Sequence, residues 1–529
     1  MVLDKEIKTQ LAQYLNLLES DIVLQTDLGD DDNSRKVKEF LDEIAAMSDR
    51  ISLESTHLKR QPSFGIAQKG QKSRVIFSGL PMGHEFTSFI LALLQVSGRP
   101  PKVDEDTIER IKKIDKPIDL ETYVSLTCHN CPDVVQAFNI MAVLNPNITH
   151  TMIEGGMYQD EVKAKGIMSV PTVYKDQEEF TSGRATIEQL VEKLDGPLDA
   201  DAFADKGVYD VLVIGGGPAG NSAAIYAARK GLKTGLLAET FGGQVIETVG
   251  IENMIGTLYT EGPKLMAQVE EHTKSYDVDI IKSQLATGIE KKELIEVTLA
   301  NGAVLKSKTA ILALGAKWRN INVPGEDEFR NKGVTYCPHC DGPLFEGKDV
   351  AVIGGGNVAM DAARTALRLG AEVHIVYRRS ESELPARAEE VHHAKEEGIV
   401  FDLLTNPTEI LVDENGWVKG MKCIRMELGE PDASGRRRPV EIEGSEFELD
   451  LDTVIMALGT SPNPLISSTT KGLETNKRAC IVADEEFGRT SKEGVFAGGD
   501  AVTGAATVIL AMGAGKAAAK GIHEYLSNK

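Results

Sequence analysis

Two copies of one glycine-rich pattern constrain the fold of this chain more than any other feature of its sequence. Each copy follows a short apolar run and opens a stretch with helical spacing: GGGPAG at 215–220 and GGGNVA at 354–359. A strand, a glycine turn and a helix in this order bind the pyrophosphate of a dinucleotide, because glycine allows close approach and the helix N-terminus offers free N–H groups. The sequence therefore predicts two dinucleotide-binding domains. The residues expected to contact the nucleotides are Gly215, Gly217, Pro218, Ala219 and Gly220 in the first copy, and Gly354, Gly356, Asn357, Val358 and Ala359 in the second.

The charged residues after the next strand of each copy predict which nucleotide is bound. Glu239 follows the run LKTGLLA, at a place where a carboxylate accepts hydrogen bonds from the adenosine ribose of FAD or NAD. Arg378 and Arg379 follow AEVHIVY at the equivalent place in the second copy, where guanidinium groups attract a 2′-phosphate. We therefore expect the second site to prefer NADPH over NADH, the alternative being a solvated basic corner.

Four of the six cysteines form CxxC pairs, and six are too few for a disulfide scaffold in a chain of 529 residues. Cys128 and Cys131 form CHNC, and Cys337 and Cys340 form CPHC. Such pairs indicate dithiols that cycle between thiol and disulfide; a single zinc site with all four cysteines is the alternative. Asp341, directly after the second pair, is a candidate acid or base for the thiol proton, or else a loop or helix-cap aspartate.

The order of motifs before residue 197 is typical of the thioredoxin fold. A strand-like run, DLETYVSLT, leads into CHNC and a helical stretch, and GIMSVPT precedes another strand. The start of the helix favours the thiolate of Cys128, and thiolate is the attacking species in disulfide exchange. Residues 1–100 read as a further small α/β unit, without cysteine.

The predicted fold class is α/β, with tandem thioredoxin-like folds followed by two Rossmann-like dinucleotide-binding domains. FAGGDAVTG, near the C-terminus, resembles a returning strand of the FAD domain, so the NAD(P)H domain interrupts the FAD domain; Gly499 and Asp500 are expected to contact FAD. The expected ranges are 1–100 (thioredoxin-like, without CxxC), 101–196 (thioredoxin-like, with CxxC), 197–207 (linker), 208–325 (FAD domain, first part), 326–454 (NAD(P)H domain with CxxC) and 455–529 (FAD domain, second part).

Composition and charge narrow the class of protein. The chain has 58 Lys plus Arg against 80 Asp plus Glu, a formal charge of −22, which argues against an electrostatic nucleic-acid binder. Its N-terminus lacks the pattern of a secretory signal, and no apolar run approaches the length of a membrane span. We therefore expect a cytoplasmic protein that binds neither nucleic acid nor membrane, and we expect no metal.

Residues 1 to about 355 closely resemble the flavoprotein subunit of alkyl hydroperoxide reductase. The resemblance rests on GHEFTSFILALLQVSGR, ETYVSLTCHNCPDVVQAFN, GIMSVPT, GPAGNSAAIYAARKGLKTGLLAE, GGQV and CPHCDGPLFEGK. In that family, electrons pass from NADH through FAD and two CxxC centres to a peroxiredoxin. The resemblance implies that Cys340 faces the flavin, Cys337 is the interchange thiol, Cys131 accepts electrons and Cys128 attacks the disulfide of the partner.

The same resemblance implies further site residues and a homodimer. Glu85 matches a family acid near the N-terminal dithiol, although an exposed helical glutamate is the alternative. Gly243, Gln244 and Asn253 are expected to join the FAD site.

From about Asn357 the sequence departs from that family. NVAMDAARTALRLGAEVHIVYRRSESELPAR and the segments after it resemble glutamate synthase small subunits and related NADPH-dependent oxidoreductases. The sequence therefore predicts a composite chain whose two parts join near the second glycine-rich pattern. We call the two patterns, at 215–220 and 354–359, the first and second fingerprint.

We expect a flavin-dependent disulfide reductase that passes electrons from NADPH, or NADH, through FAD, Cys337/Cys340 and Cys128/Cys131 to a peroxiredoxin. Two alternatives remain open: an NAD(P)H oxidase or diaphorase whose reduced flavin passes electrons to oxygen or small acceptors, and a chain whose N-terminal folds only bind a partner.

Overall fold

The computed structural model describes residues 3, 5–248, 250–336, 345–431, 435 and 437–528. The chain forms two compact units, each made of two segments. Residues 1–191 and 320–458 form the first unit, and residues 192–319 and 459–529 form the second. The limits expected for the NAD(P)H domain, residues 326–454, stay a prediction.

One continuous eight-stranded sheet runs through residues 22–182, in the order β2-β1-β3-β4-β6-β5-β7-β8. Its strands are β1 (Ile22–Asp27), β2 (Ile51–Ser55), β3 (Ser63–Gln68), β4 (Val75–Ser78), β5 (Ile118–Val124), β6 (Ile148–Glu154), β7 (Thr172–Lys175) and β8 (Glu178–Ser182). The helices of this region are α1 (Lys5–Leu15), α2 (Asp32–Ala45), α3 (Phe86–Val96), α4 (Glu105–Lys113), α5 (Cys131–Leu144), α6 (Gln159–Lys165) and α7 (Ile187–Asp195).

The two thioredoxin-like halves are joined by strand pairing and by a buried ionic cluster. Strand β4 of the first half pairs in parallel with β6 of the second. Arg60 of the first half donates to Glu121 and Glu161 of the second, at 2.8 Å in each case. The hydrogen bonds from Arg60 lower the pKa of Glu161 to about 2, so this carboxylate stays charged and paired. Because both halves contribute to one sheet and one buried cluster, they form a single structural body.

The first fingerprint lies near the start of the second unit, which begins at residue 192. Its elements in residues 192–319 are β9 (Val208–Ile214), α8 (Pro218–Ala228), β10 (Thr234–Ala238), α9 (Gly262–Lys274), β11 (Val278–Lys282), β12 (Ala286–Lys291), β13 (Ile295–Leu299), β14 (Val304–Leu312) and β15 (Ala316–Trp318). Strand β9 lies between β10 and β14 and is parallel to both. Its alternate residues enter two hydrophobic clusters, one on each face, as a central parallel strand requires.

Residues 197–207, expected to form a linker, pack onto the second unit. Ala200–Lys206 form a 3-10 helix, and Phe203 is buried in the same cluster as Tyr209 and Leu212 of β9. The acidic composition of this segment reflects its exposed side chains, whereas one aromatic ring fixes it to the core.

The second fingerprint lies in the first unit. The elements here are β16 (Val334–Thr335), β17 (Asp349–Ile353), α10 (Asn357–Arg368), β18 (Glu372–Tyr377), α11 (Ala388–Glu396), β19 (Val400–Leu403), β20 (Thr405–Val412), β21 (Val418–Pro431), β22 (Arg437–Glu441), β23 (Phe447–Asp450) and β24 (Thr453–Met456). A parallel sheet has the order β16-β24-β17-β18-β19, and strands β20 to β23 pair in antiparallel fashion.

The end of the chain completes the second unit. Its elements are β25 (Thr460–Pro462), α12 (Leu465–Thr469), β26 (Val495–Ala497), α13 (Asp500–Thr503) and α14 (Val508–Ser527). Strand β26 pairs in parallel with β14, and α14 packs closely on α8, where a Cβ on Gly515 would lie 2.0 Å from the carbonyl oxygen of Ala219. The α/β class and the return of the chain to the first nucleotide fold are therefore confirmed. None of the described helices is long and apolar enough to cross a membrane.

Candidate active site

A cleft of about 320 Å³ in the second unit opens over the first fingerprint. Gly215 has φ +117°, and a Cβ there would lie 2.1 Å from the carbonyl oxygen of Ala313, so the turn accepts only glycine. A Cβ on Gly220 would lie 1.8 Å from the carbonyl oxygen of Gly215, which keeps α8 close to β9. A Cβ on Gly217, by contrast, would meet only the Cα of Gly243, at 3.9 Å. The space beside Gly217, at the N-terminus of α8, fits a pyrophosphate.

Most residues predicted to bind FAD line this cleft. They are Gly215, Gly217, Pro218, Ala219, Glu239, Gly243, Gln244 and Asp500. Gly499 has φ +77° and precedes Asp500, whose Oδ1 accepts a hydrogen bond from the Ala506 N–H at 3.3 Å. Asn253 is exposed and does not line the cleft, so the structure does not bring it to the other predicted residues.

The N-terminus of α14 also lines the cleft, a contribution that was not predicted from the sequence. Ala506, Thr507 and Val508 border the cavity, and the side chain of Thr507 caps the helix by accepting from the Leu510 N–H at 3.4 Å. A threonine before an apolar helical run was the available signal. Two helix N-termini, the carboxylate of Glu239 and an open glycine position together fit FAD.

The second fingerprint repeats this geometry in the first unit. Gly354 has φ +148°, and a Cβ there would lie 2.4 Å from the carbonyl oxygen of Ala457. A Cβ on Gly356 would meet nothing within 4 Å, so the backbone is open to a phosphate. Ala359 is buried against the turn and Val358 is half exposed.

Asn357 has a partner that its sequence motif does not indicate. Its Oδ1 accepts a hydrogen bond from the N–H of Arg387 at 2.9 Å, which places Arg387 beside the first turn of α10. Arg387 itself is exposed. A third arginine therefore stands near the place expected for the nucleotide phosphates.

The two arginines after β18 have different surroundings. Arg378 is exposed, whereas Arg379 is only 7% exposed. The Nε of Arg379 donates to the carbonyl oxygen of Arg437 at 2.8 Å, and Arg437 in turn pairs with Glu383 at 2.7 Å. From the sequence the arginines are expected to act as an equivalent pair, but the structure places Arg379 in the packing between the loop after β18 and strand β22.

The N-terminal dithiol lies where α5 begins. Cys128 and Cys131 are free and buried, and the N–H of Cys131 donates to the sulfur of Cys128 at 3.1 Å. The Cys128 thiol contacts the carbonyl oxygen of Val170 at 3.7 Å. Burial raises the pKa of Cys131 well above its ordinary value, and the neighbouring Cys128 raises it further.

Glu85 stands beside this dithiol, contributed by the half without cysteine. It is fully buried, and neither carboxylate oxygen has a hydrogen-bond partner among the described residues. Burial raises the pKa of Glu85 to about 8, and its charge contributes to the raised pKa of Cys131. The rings of His84 and His129 lie 4.0 Å apart, so the two halves meet at the CHNC loop. The alternative of an exposed helical glutamate is therefore wrong.

The second dithiol and its acid lie outside the described residues: Cys337, Cys340 and Asp341 all fall in 337–344. Among the residues that are described, no group of three or more His, Cys, Asp or Glu could hold a metal ion. The zinc alternative, which needs Cys337 and Cys340, stays untested. Cys423 and Cys480 are free and buried.

Comparison with known proteins shows two families along the chain. A pyridine nucleotide-disulphide oxidoreductase model matches residues 209–515, and a thioredoxin domain model matches residues 119–195. The thioredoxin reductase of Lactococcus lactis, in its FR conformation, matches with a TM-score of 0.51 at 29% identity, covering 61% of this chain and 100% of that chain.

Two relatives match this chain over almost its full length. A Bacillus subtilis protein named NADH dehydrogenase is 50% identical over 527 residues, and the F subunit of alkyl hydroperoxide reductase from Staphylococcus aureus is 44% identical over 528 residues. Each match covers 99% of both chains. The predicted composite with a seam near residue 355 is therefore not supported, because proteins of the same length match on both sides of it. The chain belongs to the pyridine nucleotide-disulphide oxidoreductases, as a full-length homologue of the alkyl hydroperoxide reductase F subunit, and is an FAD-dependent disulfide oxidoreductase that uses NAD(P)H.

Proposed function

We propose that the chain reduces the disulfide of a peroxiredoxin in an alkyl hydroperoxide reductase system, using electrons that pass from NADPH through FAD, Cys337/Cys340 and Cys128/Cys131. The full-length identity to the F subunit of alkyl hydroperoxide reductase supports the system. The observation that carries the proposal is the buried dithiol at the start of α5, with Glu85 beside it.

The N-terminal dithiol would perform the last exchange. The thiolate of Cys128 attacks one sulfur of the partner's disulfide, forming a mixed disulfide and releasing the other sulfur as a thiolate. Cys131 then attacks Cys128, which forms the Cys128–Cys131 disulfide and frees the partner's second thiolate. The ionised form of Glu85 takes the proton that Cys131 loses; burial raises the pKa of Glu85 to about 8, so this form is the minor one at neutral pH and becomes more abundant as the pH rises. Two electrons pass to the partner, and two protons complete its thiols.

FAD, when bound in the cleft, supplies two-electron exchange between a nicotinamide and a dithiol. The N-termini of α8 and α14 would bind its phosphate and ring oxygens, and Glu239 its ribose. Arg378 would bind the 2′-phosphate of NADPH, and Arg379 would hold the loop in place. The homodimer and the cytoplasmic location remain predictions.

Anaerobic mixing of the oxidised protein with NADPH or NADH, followed by flavin absorbance, tests this function. We expect flavin bleaching with both nucleotides, faster at limiting NADPH, and reoxidation on adding an oxidised peroxiredoxin. Reoxidation by oxygen alone, with no effect of the peroxiredoxin, would instead favour the oxidase, which the full-length homology does not favour.

A further inference from the structure

The loop that follows β18 carries a buried carboxylate close to the two arginines. Glu383 lies four residues after Arg379 and is only 8% exposed. The Tyr377 hydroxyl donates to the carbonyl oxygen of Glu383 at 2.8 Å, and the N–H of Glu383 donates to the carbonyl oxygen of Ser380 at 3.2 Å. The loop therefore folds back on the end of β18, where the 2′-phosphate of NADPH is expected.

This carboxylate is charged at neutral pH. The hydroxyls of Ser380 and Ser382 both donate to Glu383 Oε2, the second at 3.1 Å. Hydrogen bonds from Ser380 and Arg437 lower the pKa of Glu383 to about 2. A negative charge at this end of a dinucleotide fold suits the ribose hydroxyl of NAD, whereas it repels a 2′-phosphate.

Arg437 of β22 forms an ion pair with Glu383. Its Nε donates to Glu383 Oε1 at 2.7 Å, and its Nη2 donates to the Ser382 hydroxyl at 3.3 Å. The side chain of Arg437 is 46% exposed, so the pair lies at the surface of the loop and not in the core. The pair has no net charge, and the positive charge of Arg378 then stands without an opposing charge from Glu383.

Backbone contacts also hold β22 and β21 against this loop. The carbonyl oxygen of Arg437 accepts from Arg379 Nε at 2.8 Å. The N–H of Leu404 donates to the carbonyl oxygen of Arg379 at 3.1 Å, and the N–H of Met426 in β21 donates to the carbonyl oxygen of Leu404 at 2.8 Å. Both strands belong to the antiparallel part, outside the parallel sheet of the second fingerprint. A residue from outside the nucleotide fold thus reaches the loop that follows β18.

We propose that Arg437 neutralises Glu383 so that the second nucleotide site accepts the 2′-phosphate of NADPH, which makes β22 part of the specificity for the nucleotide. This inference rests on the proposed function, in which Arg378 binds that phosphate. Arg437 is a positioning residue, because it acts through Glu383. Without Arg437, the charge of Glu383 would oppose the phosphate but not the 2′-hydroxyl of NADH.

Calorimetric titration of the full-length, FAD-loaded, oxidised protein with NADP⁺ and with NAD⁺ tests this role, since neither nucleotide can reduce the flavin. The variants are Arg437→Ala, Glu383→Gln and the double variant Arg437→Ala/Glu383→Gln. Arg437→Ala keeps the carbonyl oxygen that accepts from Arg379. Arg438→Ala is the control, because it removes the same charge from the next residue of β22, whose side chain points to the opposite face of the strand.

We expect Arg437→Ala to bind NADP⁺ roughly three- to tenfold more weakly and NAD⁺ with unchanged affinity, because only the 2′-phosphate meets the uncompensated charge. This loss should become smaller as the salt concentration rises. The double variant should recover most of the affinity for NADP⁺, since Gln carries no charge. Glu383→Gln alone should bind NADP⁺ at least as tightly as the unaltered protein, and Arg438→Ala should change either affinity by less than about twofold.

A role of Arg437 in holding the loop alone would give a different pattern. Both nucleotides would then bind more weakly in Arg437→Ala, and the double variant would not recover. Either result, or an unchanged affinity for NADP⁺ in Arg437→Ala, would overturn the inference. Arg437→Gln removes the charge but keeps a donor, should weaken NADP⁺ binding in the same selective way, and provides the test if Arg437→Ala does not fold. Equal affinity of the unaltered protein for NADP⁺ and NAD⁺ would instead overturn the proposed preference for NADPH.

Discussion

Glu85 shows at the residue scale how burial keeps a proton on a carboxyl group. A carboxylate without hydrogen bonds in a protein interior is costly, so the group keeps its proton. The pKa of about 8 places the exchange of this proton close to the pH at which thiols react. Because Glu85 comes from the half without cysteine, that half supplies part of the redox site.

Glu85→Gln should remove a pH dependence of stability. The folded chain holds the Glu85 proton up to about pH 8, whereas its ordinary pKa is 4.5. Between pH 4.5 and about pH 8, the folded state therefore binds more protons than the unfolded state. The contribution of Glu85 to the free energy of unfolding falls as the pH rises through this range. We expect Glu85→Gln to gain stability relative to the unaltered protein between pH 5 and pH 8, measured by urea unfolding. A difference between the two proteins that does not change with pH would contradict the raised pKa.

Separate substitutions of the two arginines should have different effects. Arg378→Ala should remove most of a preference for NADPH, about 1.5–3 kcal/mol or roughly one to two decades, with little effect on NADH. Arg379→Ala should lower the free energy of unfolding by about 1–3 kcal/mol, because a buried side chain and its hydrogen bond are lost. Flavin reduction at limiting nucleotide and denaturant unfolding measure the two effects. An unchanged preference in Arg378→Ala would show that this arginine lies in a solvated corner.

Sequence spacing was sufficient to place Cys128 and Cys131 at the start of a helix and the glycines in strand–helix turns, but it was not sufficient to describe the surroundings of the arginines. Cys128 and Cys131 were predicted because the chemistry lies in a short motif followed by a helix. The burial of Arg379 depends on the carbonyl oxygen of Arg437, 58 residues away, and no local pattern indicates such a contact. Glu85 was predicted as a site residue from family resemblance alone, because one glutamate at the start of a helix gives no indication that it is buried.

At the element scale, the strand–turn–helix unit separates residues that build the turn from residues that leave room for a ligand. Gly215 and Gly354 take the same place, each directed at a carbonyl oxygen of the neighbouring strand end. Gly217 and Gly356 also correspond, and both are open. The same strand–turn–helix motif thus occurs twice in the chain. The charged residue after the next strand differs between the two copies.

Gly217→Ala and Gly220→Ala form a matched pair that tests this separation. Gly217 has φ −77°, which alanine adopts readily, so Gly217→Ala should leave the stability of the apoprotein nearly unchanged but weaken FAD binding roughly tenfold or more. Gly220→Ala should destabilise the apoprotein itself by about 1–3 kcal/mol, because its Cβ would overlap the Gly215 carbonyl oxygen. FAD titration and thermal unfolding distinguish the two. Equal FAD affinity in Gly217→Ala and the unaltered protein would contradict the placement of the pyrophosphate.

The strands and helices of the fingerprints were predicted from the spacing of apolar residues. The packing of the segments that connect the domains was not. The apolar runs before each glycine turn are central strands, and the runs after it are helices, as expected. The segment expected to be a linker is anchored by Phe203, because one buried ring outweighs an acidic composition. The helix N-terminus at Val508 completes the cleft through a contact that joins the two ends of the second unit.

On the scale of the whole molecule, the chain leaves the FAD fold after β15 and returns to it at β25. Strand β26 and α14 complete a sheet and a helix layer that β14 and α8 began. Sequence resemblance divided the chain at residue 355 because the segments after it matched another family more closely. Relatives that match 99% of the chain show that the two parts belong to one protein.

The measurement that tests the electron path most directly compares Cys128→Ser and Cys131→Ser with the unaltered protein in the reduction of a peroxiredoxin by NADPH. Both variants should bleach their flavin at the normal rate and fail to reduce the peroxiredoxin, because hydride transfer precedes the N-terminal dithiol. Cys480→Ser, which alters a free cysteine in the second unit, should retain both activities. Full peroxiredoxin reduction by both Cys128→Ser and Cys131→Ser would contradict the account, since Cys337/Cys340 would then deliver electrons to the partner directly.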